Sequence, residues 1–357
     1  MKSNTRAASL TAALAAALAL SGCAAATDTA GRVPAADRPA PSRTSTPESL
    51  AAGTAVTAEA VAAAQTFLDS LSPDERERVV FDADDPALRS WIYIPTTNDR
   101  NGISLGELTE PQRDAALGLV DAVLSDSGFE QVQNVLAAED ALGVRNRDDN
   151  ATSDRYFISL FGEPDATARF TVQLNGHHLA VNHTFEGGRV SPTPAFTGVD
   201  PTTIDLNGQR IRPMSAETDA FAALVGALGE GGLAAARIDP IEDVLVGVGD
   251  SSGYPQQEGV RVSDLDETQQ ARVVDLIRAW VSDTDERVAE TIVEEYVAEF
   301  DSTTISWTGS ADPDESGAYL RIDGPRLWIE FVNVGVFGNG DAHYHSIWRD
   351  RAIDYLG

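Results

Sequence analysis

Five histidines fall in two short runs, His177, His178 and His183 in one and His343 and His345 in the other. Imidazole titrates near neutral pH and offers a lone pair to a metal, so its clustering is where chemistry is first sought. After Gly176 the sequence alternates, and period-two alternation puts His178, Ala180, Asn182 and Thr184 on one strand face. His177, Leu179, Val181 and His183 take the other, more apolar face. His343 and His345, at i and i+2, point together if extended. With Glu330 they suggest a metal site of His178, His343, His345 and Glu330. Three nitrogens and a carboxylate suit zinc, manganese or iron(II), with an open position for an activated water. In that reading Glu330 and His178 carry the catalysis. Asn182, Arg326 and Arg349 are the candidate substrate contacts, since a guanidinium clamps carboxylate or phosphate in bidentate fashion. A metal-free histidine beside Glu330 could do acid–base work with the same residues. The competing reading has no cofactor, the rings simply hydrogen-bonding carbonyls and carboxylates at strand ends.

Composition removes several alternatives. Lys and Arg number 26 against 56 Asp and Glu, a formal charge of −30 that repels phosphate backbones and argues against nucleic acid as a partner. Lys2 is the only lysine and Cys23 the only cysteine. Schiff-base chemistry and a Walker-type phosphate loop therefore have no lysine in the body, and internal disulfides and Cys-rich zinc sites are excluded. Hydrophobic residues at 42% point to a globular body.

The elements that must bring the two histidine runs together are repeated. Gly102–Gln112 parallels Gly259–Gln269 at an offset of 157. Each copy opens a helix, with Thr109 and Asp266 as N-caps and Gln112 and Gln269 in capping-box position. The apolar stripe Ala116, Leu119, Val120 and Val123 matches Val273, Leu276, Ile277 and Trp280. A second helix follows each, around Glu130–Leu142 and Glu286–Phe300. Strands come next: Ile158–Gly162 matches Ile305–Gly309, and Gln173–His183 matches Arg321–Phe331, each broken by a turn signal at Asn175-Gly176 or Asp323-Gly324. Helices at Ala58–Leu71 and Ala216–Leu228 and an extended Trp91–Pro95 complete the body. The order helix, helix, strand, strand, twice over, predicts an α+β fold of internally duplicated units, about 102–200 and 259–357, packed as one pseudo-twofold body over 56–357. That symmetry would set His178 and Asn182 near Arg326 and Glu330.

Several motifs together resemble a known family. They are Arg89-Ser90-Trp91, Gly102–Gln112, Phe161–Pro164, Gly176–Leu179, Pro194–Gly198, Ile322–Pro325 through Glu330, His343–Asp350 and Asp354-Tyr355. The chain from Ala58 to Gly357 is similar to the domain of unknown function 3500 family, departing from it at Phe170, where the family usually carries tryptophan. The resemblance implies the extent of the body and brings no activity.

Ahead of the body, Lys2 and Arg6 precede an apolar run, Ala7–Leu20, too short for a bilayer span of ~20 residues but suited to an export signal. Its end, Leu20-Ser21-Gly22-Cys23, resembles a bacterial lipobox, which implies removal of residues 1–22 and lipidation of Cys23. Residues 23–55, rich in Ala, Thr, Pro and Ser, read as a disordered tether. The expectation is a lipid-anchored protein on the extracytoplasmic face of the cell membrane. Its body is a metal-dependent, hydrolase-like enzyme or a non-catalytic lipoprotein binding a small-molecule or envelope ligand.

Overall fold

The computed structural model describes residues 32–33, 47–96, 100–248, 253–335 and 342–357. Its helices are α1 (Pro47–Ser70), α2 (Pro73–Val79), α3 (Glu110–Asp121), α4 (Asp126–Asn146), α5 (Ser215–Ala236), α6 (Glu267–Val281) and α7 (Glu286–Val297). The strands begin with β1 (Arg32–Val33), β2 (Val80–Phe81), β3 (Ile103–Ser104), β4 (Phe157–Phe161), β5 (Phe170–Gly176), β6 (Leu179–Glu186), β7 (Arg189–Ser191) and β8 (Ala195–Val199). They continue with β9 (Ile204–Leu206), β10 (Gln209–Ile211), β11 (Tyr254–Pro255), β12 (Val260–Arg261), β13 (Thr304–Thr308), β14 (Tyr319–Asp323), β15 (Leu327–Asn333) and β16 (Tyr344–Asp350). The protein is α+β, as the pattern predicts. Helix α1 starts at Pro47 rather than Ala58, so the end of the expected tether is helical, and β1 within that tether pairs with β11.

Twelve strands form one sheet in the order β12-β13-β14-β15-β16-β8-β6-β5-β4-β2, with β3 also on β4 and β7 on β6. Among the described residues, β2–β4 is the only parallel strand pair. One sheet face sends Ile158, Val172, Leu174, Val181, Ile305, Ile322 and Ile329 into the core shared with the helices. Helices α3 and α6 form where expected because their caps are met. Thr109 with Gln112 and Asp266 with Gln269 make reciprocal capping boxes. Each of those glutamines also ties a neighbouring helix: Gln112 donates to the Ser70 carbonyl and Gln269 to the Ala227 carbonyl, both at 3.1 Å. Gly102 and Gly259, at φ +93° and +96°, each pass against the carbonyl of an isoleucine, Ile158 or Ile305, where any Cβ would collide.

The opposite face carries Ala180, Phe196, Tyr319, Trp328, Val332 and Ile347. It is covered by chain without regular structure, which supplies Trp91, Tyr93, Val244 and Val246. Irregular backbone needs hydrogen-bond partners when buried, and polar side chains on this face provide them. Asn175 accepts from the Ile92 N–H and donates to its carbonyl, while Gln173 donates to the Leu88 carbonyl.

At the sheet's centre β8 and β16 pair antiparallel, Gly198 opposite His345 and Phe196 opposite Ile347. On the helix side the entries to α4 and α7 meet: Ser125 Oγ donates to the Ser282 carbonyl at 2.6 Å and Ser125 N–H to the Asp283 carbonyl at 2.9 Å. Gly128 presses on this junction, where a Cβ would stand 2.2 Å from the Asp283 oxygen. Gly128→Ala is expected to cost about 1–3 kcal/mol in urea denaturation, since backbone must shift to admit the methyl. Nearby, His183 is buried with Nε2 3.2 Å from Thr284 Oγ1 and Nδ1 without a partner. Burial lowers its pKa from 6.5 to about 3. The unfolded chain takes a proton near pH 6.5 that the folded chain refuses. Stability is thus intact above pH 6.5 and falls as pH drops toward 3, by up to about 1.4 kcal/mol per unit. Thermal midpoints measured between pH 7.5 and 5 should fall less steeply in His183→Gln.

Candidate metal centre

Residues 177 and 178 form the two-residue loop between β5 and β6, with Gly176 opposite Leu179. The turn signal Asn175-Gly176 points two residues too early. Asn175 is engaged by Ile92 and the Leu179 carbonyl, and Gly176 lies against the Tyr156 ring, where a Cβ would stand 2.3 Å from a ring carbon. His178 therefore takes the left-handed conformation, φ +64°. Such backbone is uncommon outside glycine and persists where its surroundings over-determine it. Here the His178 N–H donates to the Tyr93 carbonyl at 3.0 Å, and its carbonyl accepts from the Gly198 N–H at 2.7 Å.

His343 and His345 lead into β16, and the β8–β16 pairing delivers them to the same place. Nε2 of His178 and Nε2 of His343 are 2.7 Å apart. Ring centroids are separated by 4.7 Å (His178–His343), 4.7 Å (His343–His345) and 5.5 Å (His178–His345). One ring nitrogen from each of the three lies within 4.8 Å of the others. Close approach here favours glycine at 198, whose Cβ would stand 2.6 Å from the Tyr344 carbonyl oxygen and 3.1 and 3.2 Å from His178 and His345. Tyr93 and Phe196 pack edge-on against His345. The far sides of two rings are tied: His345 Nδ1 is 2.8 Å from Asp243 Oδ1, and His343 hydrogen-bonds the Gly335 backbone. Metal-ligating histidines are typically anchored in this way through the second nitrogen. Burial, then the neighbouring imidazoles, holds His178 well below the ordinary histidine range and His343 down to about 2. Both are therefore neutral at pH 7, with lone pairs to offer.

A second group adjoins the first and was not foreseen. Glu139 of α4 places both carboxylate oxygens 2.9 Å from His177 Nδ1, and His177 stacks on His178 at 3.6 Å. Glu139, His177 and His178 also bring ligand atoms within 4.8 Å of one another. The Tyr156 hydroxyl donates to the His177 carbonyl. A signal for Glu139 did exist, because it sits on the buried stripe of α4 with Val132, Val135 and Leu142, where a carboxylate is out of pattern. Asp243 lies in irregular chain and carried none. A cluster of histidine and glutamate that could bind a metal is thus present, but its glutamate is not the expected one.

Glu330 does not join the imidazoles. Its buried carboxylate accepts from the Leu245 and Val246 N–H groups, the Tyr319 hydroxyl and Trp328 Nε1. Those donors pin the covering chain to the sheet, and burial still raises the Glu330 pKa. Asn182 is likewise committed, accepting from Gln173 and donating to the Pro194 carbonyl. Arg326 turns to the helix side, paired with Asp350 and Glu295. Arg349 holds Asp354 and the Gly247 carbonyl. None of these three is turned to the imidazoles, because each is used to join segments. His178, His343 and His345 meet as expected. Cys23 lies outside the described residues.

No curated protein matches the chain, and no solved structure does. The family model described as "Protein of unknown function (DUF3500)" matches residues 53–357, the two histidine runs, Glu139 and Asp243 all within it. The chain belongs to that family.

Proposed function

We propose that this chain is a lipid-anchored extracytoplasmic enzyme, held to the cell membrane through Cys23, with a hydrolytic metal site formed by His178, His343 and His345. The observation that carries the reading is the convergence of three buried imidazoles from two runs 165 residues apart, His178 and His343 meeting nitrogen to nitrogen. Nitrogens bound to one zinc at ~2.0–2.1 Å stand about 3.3 Å apart, so the His178–His343 pair need part by only about half an ångström, and the His345 nitrogen already lies within 4.8 Å of both. Without Glu330 the set is all imidazole, which suits zinc better than manganese or iron(II), whose sites draw on carboxylates. Three protein ligands leave a fourth position for water, whose pKa the ion lowers toward neutrality. The substrate is a small molecule or an envelope component.

The burial of the cluster favours a second reading. His178 is 1% exposed, His343 8% and His345 6%. A non-catalytic lipoprotein would use such rings, with or without an ion, to fasten β16 to the β5–β6 turn. The equal spacing of the capping boxes, the paired glutamine contacts and the central β8–β16 seam supports a further reading, that the body is a duplicated unit with a pseudo-twofold axis.

Elemental analysis of the purified chain should give at least one zinc per chain, lost in His343→Ala/His345→Ala while circular dichroism is retained. A chain that takes up no zinc, manganese or iron would remove the metal reading and leave the non-catalytic one. Cys23→Ser should abolish incorporation of labelled fatty acid and move the protein from the membrane fraction to the soluble one. Unchanged fractionation would defeat the anchor.

A further inference from the structure

We propose that Glu139, His177 and His178 form a second cation position, so that the site takes a pair of divalent ions with His178 common to both, one ion on each ring nitrogen and the ring N–H proton released to solvent. This rests on the three-imidazole reading, because His178 belongs to both sets. Ligand atoms of the three residues already lie within 4.8 Å of one another. Glu139 is 3% exposed on the apolar stripe of α4, and a carboxylate is kept in such a place only when it is paired or holds a cation. Its two oxygens stand 2.9 Å from His177 Nδ1. Oxygen and nitrogen donors to one ion at ~2.0–2.2 Å are themselves about 3 Å apart, so little movement admits an ion between them. His177 stacks on His178 with ring centroids 3.6 Å apart, which brings the His177 and Glu139 donors up to the His178 ring.

The other half of the sheet shows what a purely structural contact at this place looks like. At the turn between β14 and β15, Arg326 reaches Glu295 of α7 and Asp350. A guanidinium is always charged and ligates no metal. The turn between β5 and β6 instead presents two imidazoles to a helix carboxylate, a set that binds ions and carries no fixed positive charge of its own. The two positions differ in chemistry. Three nitrogens suit zinc, whereas a carboxylate with two nitrogens also accepts harder ions such as manganese or iron(II).

The test is an ion count. The full chain is stripped with chelator and titrated with Zn²⁺ alone by calorimetry, and bound zinc is measured after desalting. The wild type should hold two ions, Glu139→Gln one, and Glu139→Asp two with the second weaker. His177→Asn, expected to hold one, serves if circular dichroism shows that Glu139→Gln does not fold. One ion in the wild type, or two retained in the folded Glu139→Gln or His177→Asn chain, overturns the second position and leaves the first. Loss of both ions from folded Glu139→Gln also overturns it, since Glu139 then only positions His178. No ion in the wild type sinks both readings.

Discussion

The pairing of β8 with β16 is the contact on which the rest depends. It joins the strands of the first part of the chain to those of the second and puts Gly198 opposite His345. Side chains alternate along a strand, so a slip of one residue would turn His345 from the cover face to the helix core and bring Ser346 in its place. The apolar partners resist that slip, because Phe196 and Ile347 are packed on one face and Trp348 on the other. Register is thus set by burial, and the meeting of the imidazoles follows from it.

Polar groups in the sheet interior serve a different purpose from the one their chemistry first suggests. A buried donor or acceptor left unpaired costs roughly 1–3 kcal/mol. Gln173, Asn175 and Glu330 instead act as neighbours for chain that has no strand of its own to pair with. This lets an irregular segment lie flat on a sheet, as a further strand or helix would. It also carries Tyr93 and Asp243 to the imidazole cluster, since both belong to that cover.

Legibility in the sequence followed the range of the interaction. The helices, their capping boxes and most strands were readable because caps, stripes and alternation act over a few residues. The clustering of histidines in two runs marked His178, His343 and His345, but alternation set His178 on a strand face, whereas it lies in the β5–β6 turn and reaches the other two from there. The family relation followed from motifs spread over the body. Glu330 was misread because its partners, Leu245 and Val246, lie in chain without periodicity, so nothing marked that segment as its cover. Arg326 was misread because the turn before β15 sends its side chain to the helix side, a departure from simple alternation. The β5–β6 turn was misplaced by two residues because Tyr156, distant in sequence, occupies the space beside Gly176. Glu139 was legible in principle as a carboxylate on an apolar stripe.

His345 belongs to the final strand of the sheet and His343 immediately precedes it, whereas His178 sits near the middle of the chain. Ribosomes deliver a polypeptide in order, so for nearly half of its synthesis the nascent protein holds one run of imidazoles and lacks the other. The complete ligand set exists only after β16 has been made and zipped against β8. Proteolytic fragments ending before that strand, however well folded their helices, have no three-ring centre. An ion held by all three rings could therefore be acquired only once the fold is complete.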